Sequence, residues 1–149
     1  MKALLNKFVW QHFSGRGEAM VKIIKKWRPE DISSEKVIEE SLYDYLVSKL
    51  EGLSIRRQFR YDRITVDLLI EDVVAIEIKL NLTGTKEFQR LIGQIETYAK
   101  WDKDLVVVLV GEVDPHIRDR IETRLRTDWD ELYEGERAQV IHISISGSY

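Results

Sequence analysis

ITVDLLIEDVVAIEIKL, residues 64–80, reads as two apolar strands joined by a tight acidic turn at Glu71-Asp72, yet Asp67, Glu77 and Lys79 stand inside them. Aliphatic and β-branched side chains at this density belong on a sheet, and so short a connection forces the two strands antiparallel. Burying a charge is costly unless it is paired or bound to a metal. Three ionisable groups within such strands therefore need a reason.

Side chains alternate along a strand, so Glu77 and Lys79 share a face, as do Thr65, Asp67 and Leu69 on the strand before. A three-residue loop sets Asp67 opposite Glu77, whereas a two-residue loop sets it opposite Ile76, so converging carboxylates require an odd loop or a bulge. Two crowded carboxylates repel. A hard divalent cation such as Mg²⁺ relieves them, taking one or two carboxylates with water and substrate phosphate. A lysine one step beyond can orient an attacking water or offset charge on a phosphate. On spacing alone, the same Asp…Glu-x-Lys pattern also describes a cross-strand ion pair that only stabilises the sheet.

Outward from this hairpin the elements follow by pattern. DISSEKVIEESLYDYLVSKLEG (31–52) predicts a helix capped at Ser33, with Ile38, Leu42, Tyr45, Leu46 and Leu50 as its buried stripe and Gly52 as its stop. A short strand is expected over 54–59. KEFQRLIGQIETYAKW (86–101) is helical, with Phe88, Leu91, Ile95 and Tyr98 on one side; DLVVVLVG (104–111) is a central strand covered on both faces. Asp114-Pro115 starts a helix running to about Trp129, and AQVIHISI (138–145) is a closing strand. A right-handed parallel crossover joins the strands on either side of 86–101. The expectation is an α/β fold with a mixed central sheet flanked by helices.

At 149 residues the chain is one domain's worth, with ordinary hydrophobic content (44%) and a charged content of 33%. It contains no cysteine, which excludes disulfides, thiolate zinc sites and a cysteine nucleophile. His12, His116 and His142 have no ligand spacing, and no phosphate loop or dinucleotide fingerprint is present. No apolar run reaches the length of a membrane span, and MKALLNKFVWQHF is too short and polar for a signal peptide, so the cytoplasm is the expected compartment. The net charge of −3 is unevenly spread: residues 1–28 hold seven basic side chains against Glu18 alone, leaving the remainder at −9. Residues 1–32 read as a basic helical extension, broken at Gly15 and Gly17, that covers a domain spanning 33–149. Lys25 and Lys26 there, and Arg56 and Arg57 before the first acidic strand, suit phosphate contacts or a solvated charged face alike. Trp27, beside the lysines, packs in the core or stacks on a base.

The Asp, the Glu-x-Lys on the next strand, a preceding helix with a glutamate and a following crossover helix together resemble the PD-(D/E)XK nuclease superfamily. This restriction endonuclease-like group includes RecB-like nuclease domains and archaeal Holliday junction resolvases. The likeness covers roughly Ser33 to Ile145 and implies an αβββαβαβ core with Asp67 and Glu77 as metal ligands and Lys79 as the catalytic lysine. It further implies a helix glutamate facing the metal site, which is Glu39 or, as second candidate, Glu35. QIETY (94–98) matches the Gln-xxx-Tyr motif of RecB-like members, making Gln94 a supporting polar group, with Tyr98 read as core. The implied cofactor is Mg²⁺ or Mn²⁺ and the implied partner a nucleic acid, DNA by analogy, with Arg56, Arg57, Lys25 and Lys26 on its phosphates. Homodimers are common in the superfamily. Val66 stands where many members have proline, no separate DNA-recognition domain is evident, and the mild acidity is unlike compact, basic resolvases. The alternative is a catalytically inactive nucleic-acid- or protein-binding module of the same fold.

Overall fold

The expected order of elements recurs in the computed structural model, which describes residues 5–6, 16–61, 63–101, 103–125 and 138–143. A two-residue strand β1 (Leu5–Asn6) precedes helix α1 (Arg16–Ile24) and helix α2 (Glu35–Lys49), followed by the short β2 (Leu50–Glu51). Strands β3 (Ile55–Tyr61), β4 (Ile64–Ile70) and β5 (Val74–Leu80) come next, then α3 (Thr85–Lys100), β6 (Asp104–Val110), α4 (Pro115–Leu125) and β7 (Ala138–Ile143). β1 pairs parallel with β2. The other five strands form one sheet in the order β3-β4-β5-β6-β7. The first two pairings are antiparallel and the last two parallel, so the sheet is mixed, as the hairpin and the crossover require. The expected end of the last helix at Trp129 and residues 144–145 of the closing strand lie outside the described residues; of the helical piece expected before Gly15 only Leu5–Asn6 are described, and they form a strand instead.

Helices cover both faces. On one, Met20 and Ile24 of α1 and Ile38, Leu42 and Leu46 of α2 pack on Leu68, Ile70, Ile76, Ile78, Val106 and Val108. On the other, Phe88, Leu91 and Ile95 of α3 and Ile117 and Ile121 of α4 pack on Leu69, Ala75, Val107 and Leu109. β6 is buried along its whole length, which is why its sequence is a continuous apolar run rather than an alternating one. α1 starts within the expected glycine break and stops at Ile24, short of Pro29. Trp27 is buried, with its indole N–H donating to Ser41 Oγ at 3.1 Å, so it is a packing residue and is not offered to a base.

Two local details differ from the expectation or complete it. The cap of α2 is Ser34, not Ser33: its backbone is extended (φ −156°, ψ 160°) and its Oγ accepts from Val37 N–H at 3.1 Å. Ser33 N–H instead donates to Asp31 Oδ1, drawing Ser33 into the preceding turn. Ser34→Ala should therefore lower stability by about 1 kcal/mol in denaturant unfolding, and Ser33→Ala by much less.

The β4–β5 loop is the second. Val73 N–H donates to Ile70 O at 2.9 Å, closing a turn whose central residues Glu71 (φ 51°) and Asp72 (φ 57°) are both left-handed. That turn alone would pair Ile70 with Val73. The ladder instead runs Ile70↔Val74, Leu69↔Ala75, Leu68↔Ile76, so Val73 is one residue extra, and continuing the register sets position 67 against 77.

Candidate active site

The β4–β5 ladder ends at Leu68↔Ile76, and the strands part at the residues carrying the charges. Asp67 Oδ2 accepts the Ile78 backbone N–H at 2.7 Å, so its carboxylate bonds a group of β5 that the shortened ladder leaves over. Glu77 is 3% exposed and held at both oxygens. Tyr98 Oη, from the last turn of α3, donates to Oε1 at 2.7 Å, and Lys79 Nζ lies 3.2 Å from Oε2. Glu77 and Lys79 share a face because they are two residues apart on β5, and α3 reaches that face because the crossover lays it over Ala75 and Val107.

Burial is the main cause pushing both acids up. Asp67 is raised to about 6, the Ile78 N–H pulling it back and the charge of Glu39 adding to the rise. Glu77 is raised to about 7, by burial first and the Asp67 charge second, with Lys79 and Tyr98 opposing. The Tyr98 hydroxyl is pushed up by its own burial and by the charge of Glu77, which keeps it a donor. Internal pairing therefore accounts for these charges only in part: the Asp67 charge still raises Glu77, and the Glu39 charge raises Asp67.

A third acid comes from α2. Glu39 is 5% exposed; its Oε2 accepts from Arg57 Nε at 3.1 Å and its Oε1 from Gln58 Nε2. The same Gln58 nitrogen is 3.2 Å from Asp67 Oδ1. Regular alternation would send Arg57 and Gln58 to opposite faces. Gln58 has φ 48°, and the strand turns over there. Ile55 packs with the α1–α2 cluster and Phe59 with the α3–α4 cluster, although both numbers are odd. β4 turns over at the same level, Leu68 belonging to the first cluster and Val66 to the second.

No protein-family model matches the chain, and no curated protein matches it. Among solved structures, the chain is similar to that of Pyrococcus furiosus SfsA in complex with Ca²⁺, with a TM-score of 0.41 and 18% identity. The match covers 73% of this chain and 55% of that one. Likeness at this level is too weak to carry chemistry from one chain to the other.

Of the residues singled out in the sequence, Glu39, Asp67, Glu77 and Lys79 are brought into one cluster. Glu35 is not part of it: its Oε2 accepts the Leu80 N–H at 3.0 Å, at the end of β5. Gln94 lies one helical turn before Tyr98. Its Oε1 is buried without a hydrogen-bond donor. Arg56 is exposed on β3, 3.8 Å from Asp72 and over the Phe59 ring, whereas Arg57 is turned into the cluster by Glu39. Lys25 shares a cavity with residues 139–143 of β7, and Lys26 is exposed beside it. That is the edge of the sheet opposite β3, so the structure does not bring these lysines to the carboxylates. His142 bonds Gly111 O at 2.7 Å, a structural role.

Sequence reading missed Gln58 and took Tyr98 for core alone. The three polar residues in IRRQF, between Ile55 and Phe59, were the only trace of the turned-over strand.

Asp67 and Glu77 suit Mg²⁺ or Mn²⁺: two hard oxygen donors that repel each other, the number such an ion usually takes from a protein. Among the described residues, no group of three or more His, Cys, Asp or Glu side chains gathers as a metal-holding set. Glu39 is engaged by Arg57 and Gln58 instead.

Proposed function

We propose that this chain is a metal-dependent nuclease of the PD-(D/E)XK type, hydrolysing phosphodiester bonds in nucleic acid, DNA by analogy. The observation that carries the reading is the odd register that sets half-buried Asp67 level with buried Glu77, with Lys79 on the Glu77 carboxylate. Asp67 and Glu77 would hold Mg²⁺ or Mn²⁺, which when bound acidifies water and offsets charge on a phosphate. Ile78 N–H fixes the Asp67 carboxylate and Tyr98 fixes that of Glu77, so neither must be ordered when substrate arrives. Lys79 has three N–H donors. One serves Glu77, leaving two to orient the attacking water or meet the developing charge on the scissile phosphate. Gln94, one helical turn before Tyr98 and with an unmet buried acceptor, supplies a further polar contact. Glu39 faces Asp67 through Gln58 and bears on a second ion or an ion-bound water. Arg56 on the exposed edge strand takes a backbone phosphate, with the Tyr61 ring, stacked 4.5 Å from Trp101, exposed on the same strand.

Mn²⁺ titration followed by calorimetry tests the site, and incubation of plasmid, single-stranded and branched DNA and of RNA with Mg²⁺ or Mn²⁺ tests the reaction. The expected results are binding at one or two ions per chain and cleavage that EDTA stops. A second reading, a non-catalytic binding module, is favoured by the ion pairs that already occupy Glu77 and Glu39. It requires that the protein neither bind Mn²⁺ nor cleave any of these substrates.

A further inference from the structure

In the middle of β3, Gln58 adopts φ 48°, a left-handed conformation that side chains with a Cβ avoid and that glycine, or to a lesser degree asparagine, accepts. The pairings on either side, Arg57↔Leu68 and Phe59↔Val66, are kept, and only Gln58 and Asp67 drop out of the ladder. A register slip therefore does not explain the conformation. What it achieves is placement: Arg57 and Gln58, neighbours in sequence, both reach Glu39 of α2.

The Gln58 carboxamide then meets two acids. Its NH₂ carries two hydrogens, and Nε2 is within hydrogen-bonding distance of Glu39 Oε1 and, at 3.2 Å, of Asp67 Oδ1. The charge of Glu39 is among the causes that raise Asp67, so the amide sits between two groups that repel. Two partial positive charges on one nitrogen, each aimed at a carboxylate oxygen, do weakly what a divalent cation does strongly. A residue that suited the backbone better would lack the reach. Asparagine is one methylene shorter, and glycine has no amide.

We propose that Gln58 is the positioning residue of this site: its carboxamide spans Glu39 and Asp67, fixes their separation, and competes with a divalent cation for the same oxygens. The proposal rests on the nuclease reading and adds to it a determinant of metal affinity outside the Asp, Glu-x-Lys set. Cation binding between Glu39 and Asp67 requires the amide to withdraw, and the two hydrogen bonds it gives up weaken the apparent affinity.

The test is Mn²⁺ affinity, measured by calorimetry and by electron paramagnetic resonance of free Mn²⁺. It is run on the full chain as wild type, Gln58→Gly, Gln58→Asn, and Gln58→Gly combined with Glu39→Gln. Thermal unfolding in EDTA establishes that each variant is folded; if Gln58→Gly is not, Gln58→Asn decides. Both single variants should bind Mn²⁺ about tenfold more tightly, since two hydrogen bonds to carboxylates no longer compete, and Glu39→Gln should abolish the gain. A gain in the variants over a wild type too weak to register supports the proposal equally. Unchanged or weaker affinity in folded variants of a wild type that binds Mn²⁺ overturns the role of Gln58 and leaves the nuclease reading intact. A gain that survives Glu39→Gln overturns the shared bridge. No Mn²⁺ binding by wild type or any variant overturns both.

Discussion

Lys79→Ala should slow cleavage by roughly 100- to 1,000-fold, the scale on which removing one donor from developing transition-state charge acts, without weakening Mn²⁺ binding, since the lysine is no ligand and its loss frees a Glu77 oxygen. Asp67→Asn should do the converse. The amide oxygen can still accept the Ile78 N–H, so the strand end stays fixed, but the charge that attracts the cation is gone. Cleavage should then fall at least as far, through loss of ion binding. Single-turnover rates at saturating Mn²⁺, read beside calorimetric titrations, separate the two. Cleavage that survives in both variants would place the reaction elsewhere. Cleavage lost in Lys79→Ala together with Mn²⁺ binding would make the lysine a structural partner of Glu77 rather than a participant. The contrast follows from chemistry: Asp67 would be a ligand whose charge the amide removes, whereas Lys79 is a cation that only competes for Glu77 Oε2.

Stability should fall as pH rises from about 4 to about 7. Asp67 and Glu77 ionise near 3.8 and 4.5 when the chain is unfolded, but near about 6 and about 7 when it is folded. Between these limits the folded protein binds more protons than the unfolded one, and the slope of unfolding free energy with pH is therefore negative. The stabilising contribution is fully present below the unfolded values and is lost as pH climbs through the folded ones. Glu77→Gln removes one of the two contributions while keeping an oxygen for the Tyr98 hydroxyl. In EDTA at pH 8 it should be more stable than wild type by about 1–3 kcal/mol, since each unit of displacement is worth about 1.4 kcal/mol and Lys79 loses a partner. At pH 4.5 the difference should shrink toward zero. Urea unfolding of both proteins across this range at fixed ionic strength measures it, and a difference that does not vary with pH would show that Glu77 is not strained by its surroundings. On the nuclease reading the same substitution should also abolish cleavage, and the site would then be one where stability is given up for chemistry.

Much of this was legible because the relevant signals are local. The acidic turn forces an antiparallel pair, the apolar run 104–110 can only be a doubly covered strand, and the spacing of Glu77 and Lys79 puts them on one face whatever surrounds them. Even the need for an odd loop follows from asking two carboxylates to converge. Gln58 was not legible, because its effect comes from a backbone conformation that its residue type disfavours, imposed by tertiary contacts to Glu39 and Asp67. Tyr98 was half legible. Its helical spacing announced a buried ring, while the hydroxyl's partner depends on how α3 lies across β5. That Lys25 and Lys26 lie at the β7 edge was not legible either, because sequence does not say which edge of a sheet a preceding helix covers. The cap read at Ser33 falls one residue later, at Ser34, because Asp31 draws Ser33 into the preceding turn.

Val73 takes no part in any chemistry described above, yet it sets the parity of β5. With one residue fewer in the loop, Ile76 and Ile78 would turn toward α3, and Glu77 and Lys79 would face the apolar cluster under α1 and α2. The sheet could still be drawn with every strand in place. For a lineage carrying this hairpin, the two kinds of genetic change are therefore unequal. Point substitutions around the loop can drift while the carboxylates keep their address, whereas loss of a single codon there erases the site at one stroke.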